Sequence, residues 1–442
     1  MTSSVILVIA FFVLVAALVL GVPVPFCFGL CVLWMVFALN MNAASLLPTG
    51  YNNITGITLL AIPMFIMSGG LMDKGGIGNR LIDWVSLFVG RFKSALWAVS
   101  IWACALFGSV CGSSTATLSC IGSIMGPKLE KAKYPKHISA AIICCAAPLG
   151  ALIPPSSLMI VYAWSANVSV LACFLSTVIP GLILACLLTV VGFVMSKRYP
   201  EIEFEEKNYT PSEYIRNIGV STKRAVPALL MPVIILGGIY TGIMTPTESA
   251  AVSVFYSAVI ALFVYREVKF REIGQSFIKT GQTTGAIMIM VFFMIILSNL
   301  LIKENLPQIL LNFLLGVSDS PVVIMLMINI FLVFLGMIMD NTCGLLLVTP
   351  LLTPVVTAIG VSPYTFAAIL CVNLGMGSIT PPAAPFIYLS SKMFKVNAGK
   401  IMKPVMILLF TCYLPVILLT TYVSCLSLWL PKLIMGSKFI IG

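Results

Sequence analysis

Long apolar runs, separated by short polar segments, recur along the whole 442-residue chain. A run of about 18 or more apolar residues is long enough to cross a bilayer as an α-helix. The runs do not alternate between polar and apolar positions over segments of about 10 residues, as the strands of a transmembrane β-barrel do. The pattern therefore predicts an all-α polytopic membrane protein. Its spans are expected near residues 4–21, 25–40, 55–73, 138–162, 170–195, 225–241, 246–265, 275–302, 363–388 and 404–430.

Composition supports this prediction, because 60% of the residues are hydrophobic and 9% are charged, whereas soluble domains carry about 25% charged residues. No Lys or Arg precedes Lys74. The first run therefore lacks the positive segment of a signal peptide, and we interpret it as a retained span. The 13 Cys are scattered through apolar runs and His137 is the only histidine, which favours Cys as a small hydrophobic residue over a metal site.

Two further apolar stretches, 94–127 and 321–354, are interrupted by polar residues, and each is predicted to form a re-entrant hairpin. With the N-terminus outside, the cytoplasmic segments become 21–25, 73–94, 127–137, 196–224, 266–279 and 391–403. All of the 25 Lys and Arg then lie inside except Lys303, Lys432 and Lys438. This positive-inside bias accounts for the net charge without a nucleic-acid partner, and it predicts that both termini lie outside.

The second half of the chain repeats the first at a nearly constant offset. LGVPVPFCFG (20–29) corresponds to TGIMTPTESA (241–250), and LGALIPPSSLMIVY (149–162) corresponds to MGSITPPAAPFIYL (376–389). Gly112-Ser113-Ser114 likewise corresponds to Asp340-Asn341-Thr342. Collinear matches of this kind indicate an internal repeat.

The charge topology directs span 55–73 inward and span 275–302 outward, which predicts that the two repeats are inverted. Residues 196–224 are interpreted as the cytoplasmic linker between them. The first repeat is predicted over 1–195, with hairpin 94–127 and broken helix 138–162, and the second over 225–442, with hairpin 321–354, broken helix 363–388 and last span 404–430.

Four segments are expected to have irregular backbone: hairpin tips at 112–115 and 340–343, and Pro-Pro breaks at 150–157 and 377–385. Such backbone cannot face lipid, because unpaired N–H and C=O groups are costly there. Secondary transporters use broken helices at the midplane, where freed carbonyls coordinate Na⁺ and half-helix N-termini face anionic substrate. The pattern indicates an ion-coupled transporter.

The hydroxyl residues of the first tip allow a structural interpretation as well. Ser and Thr within a membrane often pack closely or bond back to their own helix, and we favour that role for Thr117 and Ser119. The correspondence of the tip to Asp340 favours a ligand role for Ser113 and Ser114, because a carboxylate in a membrane is expensive and by default functional. Asp340 could also cap the next half-helix.

Several motifs in the chain, in the order GSSTATLSCIGSIMGPKL, PLGALIPPSSLMIVY, TGIMTPTESAAV, FLGMIMDNTCGLLLVTPLLTPV and NLGMGSITPP, resemble one known family. It is the large membrane subunit of tripartite ATP-independent periplasmic (TRAP) transporters, and the resemblance covers essentially the whole chain. It implies an elevator-type, Na⁺-coupled importer of an organic acid, such as a sialic acid or a C4-dicarboxylate, in the bacterial inner membrane. It also implies two partners, a small four-helix membrane subunit (Q type) and a periplasmic substrate-binding protein (P type).

The resemblance assigns site residues by position. The Na⁺ ligands it implies are Ser109, Gly112, Ser113, Ser114, Gly150, Pro154, Asp340, Asn341, Thr342, Gly377, Thr380 and Pro381. The substrate contacts it implies are Ser113, Ser156, Asp340, Thr380 and Ala383. The chain has Ala383-Ala384-Pro385 where the family often has a glycine, and Ala146-Ala147 where it often has Gly-Thr, so the substrate stays open.

The alternatives are a second kind of transporter and an intramembrane enzyme. A stand-alone divalent-anion/Na⁺ symporter shares the inverted hairpin plan and differs in needing neither partner. An intramembrane serine protease needs a His base beside its nucleophile, but His137 falls in a basic loop. An intramembrane aspartyl enzyme needs two carboxylates in one site, and Asp340 has no partner within an apolar segment. Transport is therefore predicted, and no enzyme activity.

Overall fold

The computed structural model describes residues 3–89, 95–202 and 211–436. Within these ranges every regular element is a helix, and eight helical segments are long and apolar enough to cross a membrane. A ninth span results if the bent pair Lys136–Leu152 and Ser157–Ala166 is counted as one. The prediction of an all-α polytopic membrane protein is confirmed.

The described residues of the first half form eleven α-helices and include the predicted Pro-Pro break. Pro154 and Pro155 have no N–H to donate, so no regular helix can continue through them; one helix ends at Leu152 and the next begins at Ser157. The helices are α1 (Ser3–Val19), α2 (Val24–Ala38), α3 (Leu46–Ile54), α4 (Ala61–Lys74), α5 (Ile77–Val89), α6 (Ala95–Cys111), α7 (Ser114–Lys131), α8 (Lys136–Ala146), α9 (Leu149–Leu152), α10 (Ser157–Ala166) and α11 (Val170–Ser196).

The second half has the same plan, with Pro381 and Pro382 between two helices. Single π-helical turns follow α13 and α20 at Ile260–Val264 and Leu409–Tyr413. The helices are α12 (Pro211–Tyr240), α13 (Pro246–Val259), α14 (Phe270–Lys303), α15 (Leu306–Val317), α16 (Pro321–Ile338), α17 (Asn341–Ala358), α18 (Pro363–Gly377), α19 (Pro385–Phe394), α20 (Ala398–Leu408), α21 (Leu414–Tyr422) and α22 (Cys425–Met435).

Two predicted boundaries differ from the structure. The last span, predicted as 404–430, ends at Tyr422, and α22 is a separate helix. Val423 leaves the helix with φ −111° and ψ 75°; hydropathy stays high through this turn, so an apolar run alone cannot locate it. The predicted linker 196–224 is helical from Pro211 onward, as the first part of α12. Its residues 203–210 lie outside the described ranges, as do 1–2, 90–94 and 437–442.

The two halves pack against each other in a reciprocal way. Helix α4 packs on α13, and its counterpart α14 packs on α2. Helix α10 packs on α17, and its counterpart α19 packs on α7. The second limb of each broken helix therefore lies against the hairpin of the other half. The relative orientation of the repeats stays a prediction, but this exchange brings both hairpins and both breaks into one helical body.

Candidate ion and substrate site

The first hairpin tip is joined to the first Pro-Pro break by direct hydrogen bonds. Helix α6 ends at Cys111, and Gly112 adopts φ +61°, which favours glycine. The Gly112 carbonyl accepts from both the backbone N (3.3 Å) and the Oγ (3.0 Å) of Ser157. A Cβ on Gly112 would lie 2.7 Å from the Pro155 carbonyl oxygen. The geometry therefore requires glycine at this position and fixes the tip against the break.

A glycine pair brings each hairpin into close contact with the broken helix of its own half. A Cβ on Gly108 would collide with the Cα of Gly150. In the second half, a Cβ on Gly336 would lie 3.0 Å from the Cα of Gly377. A Cβ on Gly150 would also lie 2.9 Å from the Ser113 carbonyl oxygen. The structure thus brings the first tip, at Gly112 and Ser113, close to the break at Gly150 and Pro155, and it packs Gly377 against the second hairpin.

Three buried side-chain oxygens at the tips and the first break have no hydrogen-bond partner among the described residues. They are the Ser114 Oγ, the Ser156 Oγ and the Asn341 Oδ1. Their residues are 6%, 0% and 7% exposed. Buried polar atoms are normally hydrogen-bonded, and leaving one unpaired is costly. All three belong to residues predicted to bind Na⁺ or substrate.

These oxygens suit a hard cation. Hydroxyl, amide and carbonyl oxygens are the ligands that hard cations prefer, and the tips and breaks offer such oxygens. In the part of the chain that the structure describes, no group of three or more His, Cys, Asp or Glu could hold a metal ion. The oxygens of the tips and breaks are thus of the type that a hard cation such as Na⁺ prefers.

The second tip is organised by Asp340. Its Oδ2 accepts from the backbone N of Thr342 at 3.1 Å, so Asp340 caps α17. The Asp340 side chain is exposed and makes no other hydrogen bond to the described residues. Capping, which the sequence allowed beside a ligand role, is thus its observed contact. An exposed carboxylate at a hairpin tip is also free to bind a cation.

The other predicted residues occupy different surroundings. Ser109 donates to the Leu106 carbonyl within α6 at 2.7 Å, and Thr380, which follows the end of α18, donates back to the Met376 carbonyl of that helix at 2.6 Å. Pro154 is buried and Pro381 half-buried, whereas Ala383 is exposed. Among the described residues, no hydrogen bond joins the second tip to Thr380. The second cluster is therefore less closed than the first.

The two broken helices cross beside the breaks. The Cys371 Sγ lies 3.6 Å from the Ala151 carbonyl oxygen. A Cβ on Gly375 would lie 3.1 Å from the Cβ of Pro148. The first limbs of both breaks are thus in contact, and small residues at the crossing permit this close approach.

A buried polar network beside the second break was not predicted. The Asn373 Nδ2 donates to the Asn329 Oδ1 at 2.9 Å, and the Asn329 Nδ2 donates to the Thr421 Oγ1 at 3.0 Å. These side chains connect α18, α16 and α21, and all are buried. Isolated Asn residues inside the apolar runs MINIF and CVNLG were the available signal, since polar side chains between membrane helices hold them together.

Apolar spans, two helical hairpins and two broken helices that cross in one body define a polytopic membrane transporter. The YdaH transporter of Alcanivorax borkumensis has a similar fold, with a TM-score of 0.62 at 14% identity over 88% of each chain. The chain belongs to the family of the DctM component of tripartite ATP-independent periplasmic transporters, which it matches over residues 9–425. It is therefore a member of a transporter family and not of an enzyme family.

Two curated relatives illustrate the range of this family. The C4-dicarboxylate TRAP transporter large permease protein DctM of Pseudomonas aeruginosa is 35% identical over 85% of this chain and 86% of the relative. The isethionate TRAP transporter permease protein DctMQ of Oleidesulfovibrio alaskensis is 32% identical, over 93% of this chain and 64% of the relative. The names of these two relatives specify different substrates, a C4-dicarboxylate and isethionate.

Proposed function

We propose that this chain is the large permease of a Na⁺-coupled importer of an organic acid in the bacterial inner membrane. Membership of the DctM family supports transport. The observation that carries Na⁺ coupling is the set of buried oxygens without partners at Ser114, Ser156 and Asn341. An ion bound there would satisfy atoms that the protein leaves unpaired.

The proposed Na⁺ sites lie at the two tip–break clusters. We assign Ser113, Ser114, the unpaired Ser156 hydroxyl and the carbonyls around Gly150 to one ion; Asp340 and Asn341 would take part in the other, with Thr342, Gly377, Thr380 and Pro381 lining that cluster. When bound, Na⁺ would supply positive charge beside a site whose candidate residues include no Lys or Arg. The protein residues orient the tips, because Ser157 ties the first tip to its break and Asp340 caps α17.

The substrate is proposed to bind between the tips, near Ser113, Ser156, Asp340, Thr380 and Ala383. Its carboxylate would be received by the N-termini of α7 and α10, where helix dipoles favour negative charge. The exposed Ala383 and Pro385 offer apolar contact beside the second break. A C4-dicarboxylate, a sialic acid and a sulfonate such as isethionate each carry an anionic group for this position.

Transport is proposed to follow an elevator mechanism. The hairpins and broken helices would move as the loaded body, against a scaffold formed by the first spans of each half. The crossing of the broken helices at Cys371 and Gly375 favours motion as one unit. Na⁺ can drive such a change only if it binds the two states with different free energies.

Two partners complete the proposed system. A small four-helix membrane subunit of Q type would bind the scaffold, and a periplasmic protein of P type would deliver substrate. The relative named DctMQ is longer than this chain, which spans 64% of it. Both chain termini are proposed to lie in the periplasm, following the distribution of Lys and Arg.

The experiment is uptake of labelled acids into proteoliposomes that contain this chain and its small subunit. The panel is a C4-dicarboxylate, a sialic acid and isethionate, each with and without an inward Na⁺ gradient and a cognate binding protein. Uptake of one acid that needs both Na⁺ and the binding protein supports the proposal. Na⁺-driven uptake without the binding protein would indicate a stand-alone symporter instead, and uptake indifferent to Na⁺ would refute ion coupling.

A further inference from the structure

A pocket of about 510 Å³ lies away from the tip–break clusters. It is formed where α5, the first part of α12 and the turn between α13 and α14 meet. Its lining residues come from three segments that are far apart in sequence, and all three lie in or beside segments predicted to be cytoplasmic. With the predicted topology, the pocket lies at the cytoplasmic end of the helices.

The acidic groups of this pocket are already paired. Glu267 accepts from Arg80 at 2.8 Å, and Asp83 pairs with Lys128 at 3.3 Å. Arg80 is further fixed by the Gly76 carbonyl at 2.9 Å and by the Tyr265 ring, whose centroid lies 3.7 Å from the guanidinium carbon. Each of the two carboxylates that line the pocket therefore has a basic partner.

Two basic side chains of the pocket, Lys223 and Arg224, make no side-chain hydrogen bond or ion pair with the described residues. Their backbone is nevertheless fixed. The Trp84 Nε1 donates to the Thr222 Oγ1 at 3.1 Å, and the Tyr265 hydroxyl donates to the Arg224 carbonyl at 2.9 Å. The pocket thus presents two free cations on a fixed helix.

The pocket opens onto an apolar surface. Pro227 and Val264 line its edge. Val264 is 51% exposed, and Phe263, Val226 and Leu230, which belong to the same two helical segments, are exposed as well. A phosphate held by Lys223 and Arg224 would leave acyl chains free to lie along this surface. A soluble anion would gain nothing from it.

We propose that this pocket binds the headgroup of an anionic phospholipid of the cytoplasmic leaflet. The phosphate lies between Lys223 and Arg224, Asn79 and Ser221 supply neutral hydrogen-bonding groups, and the acyl chains follow Phe263 and Val264. Basic pockets between helices on the cytoplasmic side suit such headgroups.

The test is native mass spectrometry of the purified full-length chain with defined lipids. The probes are dioleoylphosphatidylglycerol and dioleoylphosphatidylcholine, with inorganic phosphate as a competitor. The variant is Lys223→Ala/Arg224→Ala, and the matched control is Lys400→Ala/Lys403→Ala, which removes two exposed cations from another predicted cytoplasmic helix end. All four side chains are exposed, so both variants are expected to fold.

We expect the Lys223→Ala/Arg224→Ala variant to bind phosphatidylglycerol on the order of thirtyfold more weakly, since each basic side chain near an anionic headgroup contributes roughly fivefold. The control variant should bind as the wild type does, and phosphatidylcholine should bind weakly to all three. Equal binding of phosphatidylglycerol by all three proteins would overturn the proposal. So would displacement of the lipid by millimolar phosphate, which would identify a soluble-anion site.

Discussion

Replacement of Ser156 by alanine removes a hydroxyl that is fully buried and has no partner among the described residues. A buried unsatisfied polar group costs about 1–3 kcal/mol. Without Na⁺, the free energy of unfolding of the Ser156→Ala variant should therefore equal that of the wild type or exceed it by up to about 3 kcal/mol. Loss of a buried hydroxyl from an ordinary hydrogen bond would instead lower stability.

Addition of Na⁺ should stabilise the wild type more than the variant. An ion that binds only the folded state at a hundredfold its Kd stabilises by about 2.7 kcal/mol. If loss of the Ser156 oxygen weakens binding tenfold, the same Na⁺ concentration stabilises the variant by about 1.3 kcal/mol less. The difference in unfolding free energy between the two proteins should thus shift by about 1.3 kcal/mol in favour of the wild type when Na⁺ replaces choline.

The assay is thermal or denaturant unfolding in nanodiscs, titrated with NaCl against choline chloride at constant ionic strength. The control is Ser100→Ala in α6, where an equally buried hydroxyl donates to the Leu96 carbonyl at 2.7 Å. That variant should lose stability equally in both salts. If Ser156→Ala destabilises without Na⁺ and leaves the Na⁺ response unchanged, the unpaired hydroxyl is not an ion ligand.

Three further predictions concern the tips and the polar network. Gly150→Ala should destabilise the fold by about 1–3 kcal/mol and abolish uptake, because the new Cβ meets backbone at Ser113; Gly237→Ala, which has open space around it, should do neither in the same assays. Asp340→Asn keeps a capping oxygen and should fold as the wild type does by unfolding measurements, yet require more Na⁺ for uptake; an unchanged Na⁺ requirement would exclude a role for the charge. Asn329→Leu should cost roughly 1–3 kcal/mol in unfolding experiments, since it removes the bonds to Asn373 and Thr421 and leaves one N–H of the buried Asn373 amide unpaired. A smaller loss would show that the network is not important for stability.

The sequence predicted the hairpins and breaks because their signals are local. Two adjacent prolines interrupt a helix wherever they stand, and the repeat identified their counterparts. The sequence could not predict the helix end at Tyr422, since the turn at Val423 is as apolar as the span. Helices α5 and α15 were also missed, because twelve or thirteen residues are too few to cross a bilayer and give no span signal.

The sequence indicates candidate site residues but not the contacts between them. Gly108 and Gly336 were not singled out, because their importance comes from tertiary approach to Gly150 and Gly377. The Asn329–Asn373 bond joins residues that are 44 positions apart, and a pattern along one helix cannot indicate such a pairing.

The most direct test of Na⁺ coupling is the initial rate of substrate uptake as a function of Na⁺ concentration, in proteoliposomes with the complete transporter. If Na⁺ binds the tip oxygens, the uptake rate of the wild type should depend steeply on Na⁺. The uptake curves of both Ser114→Ala and Asn341→Ala should shift to higher Na⁺ concentration, whereas that of Ser100→Ala should not. Identical uptake curves for all four proteins, or a rate that does not depend on Na⁺, would show that these tip oxygens do not bind the coupling ion.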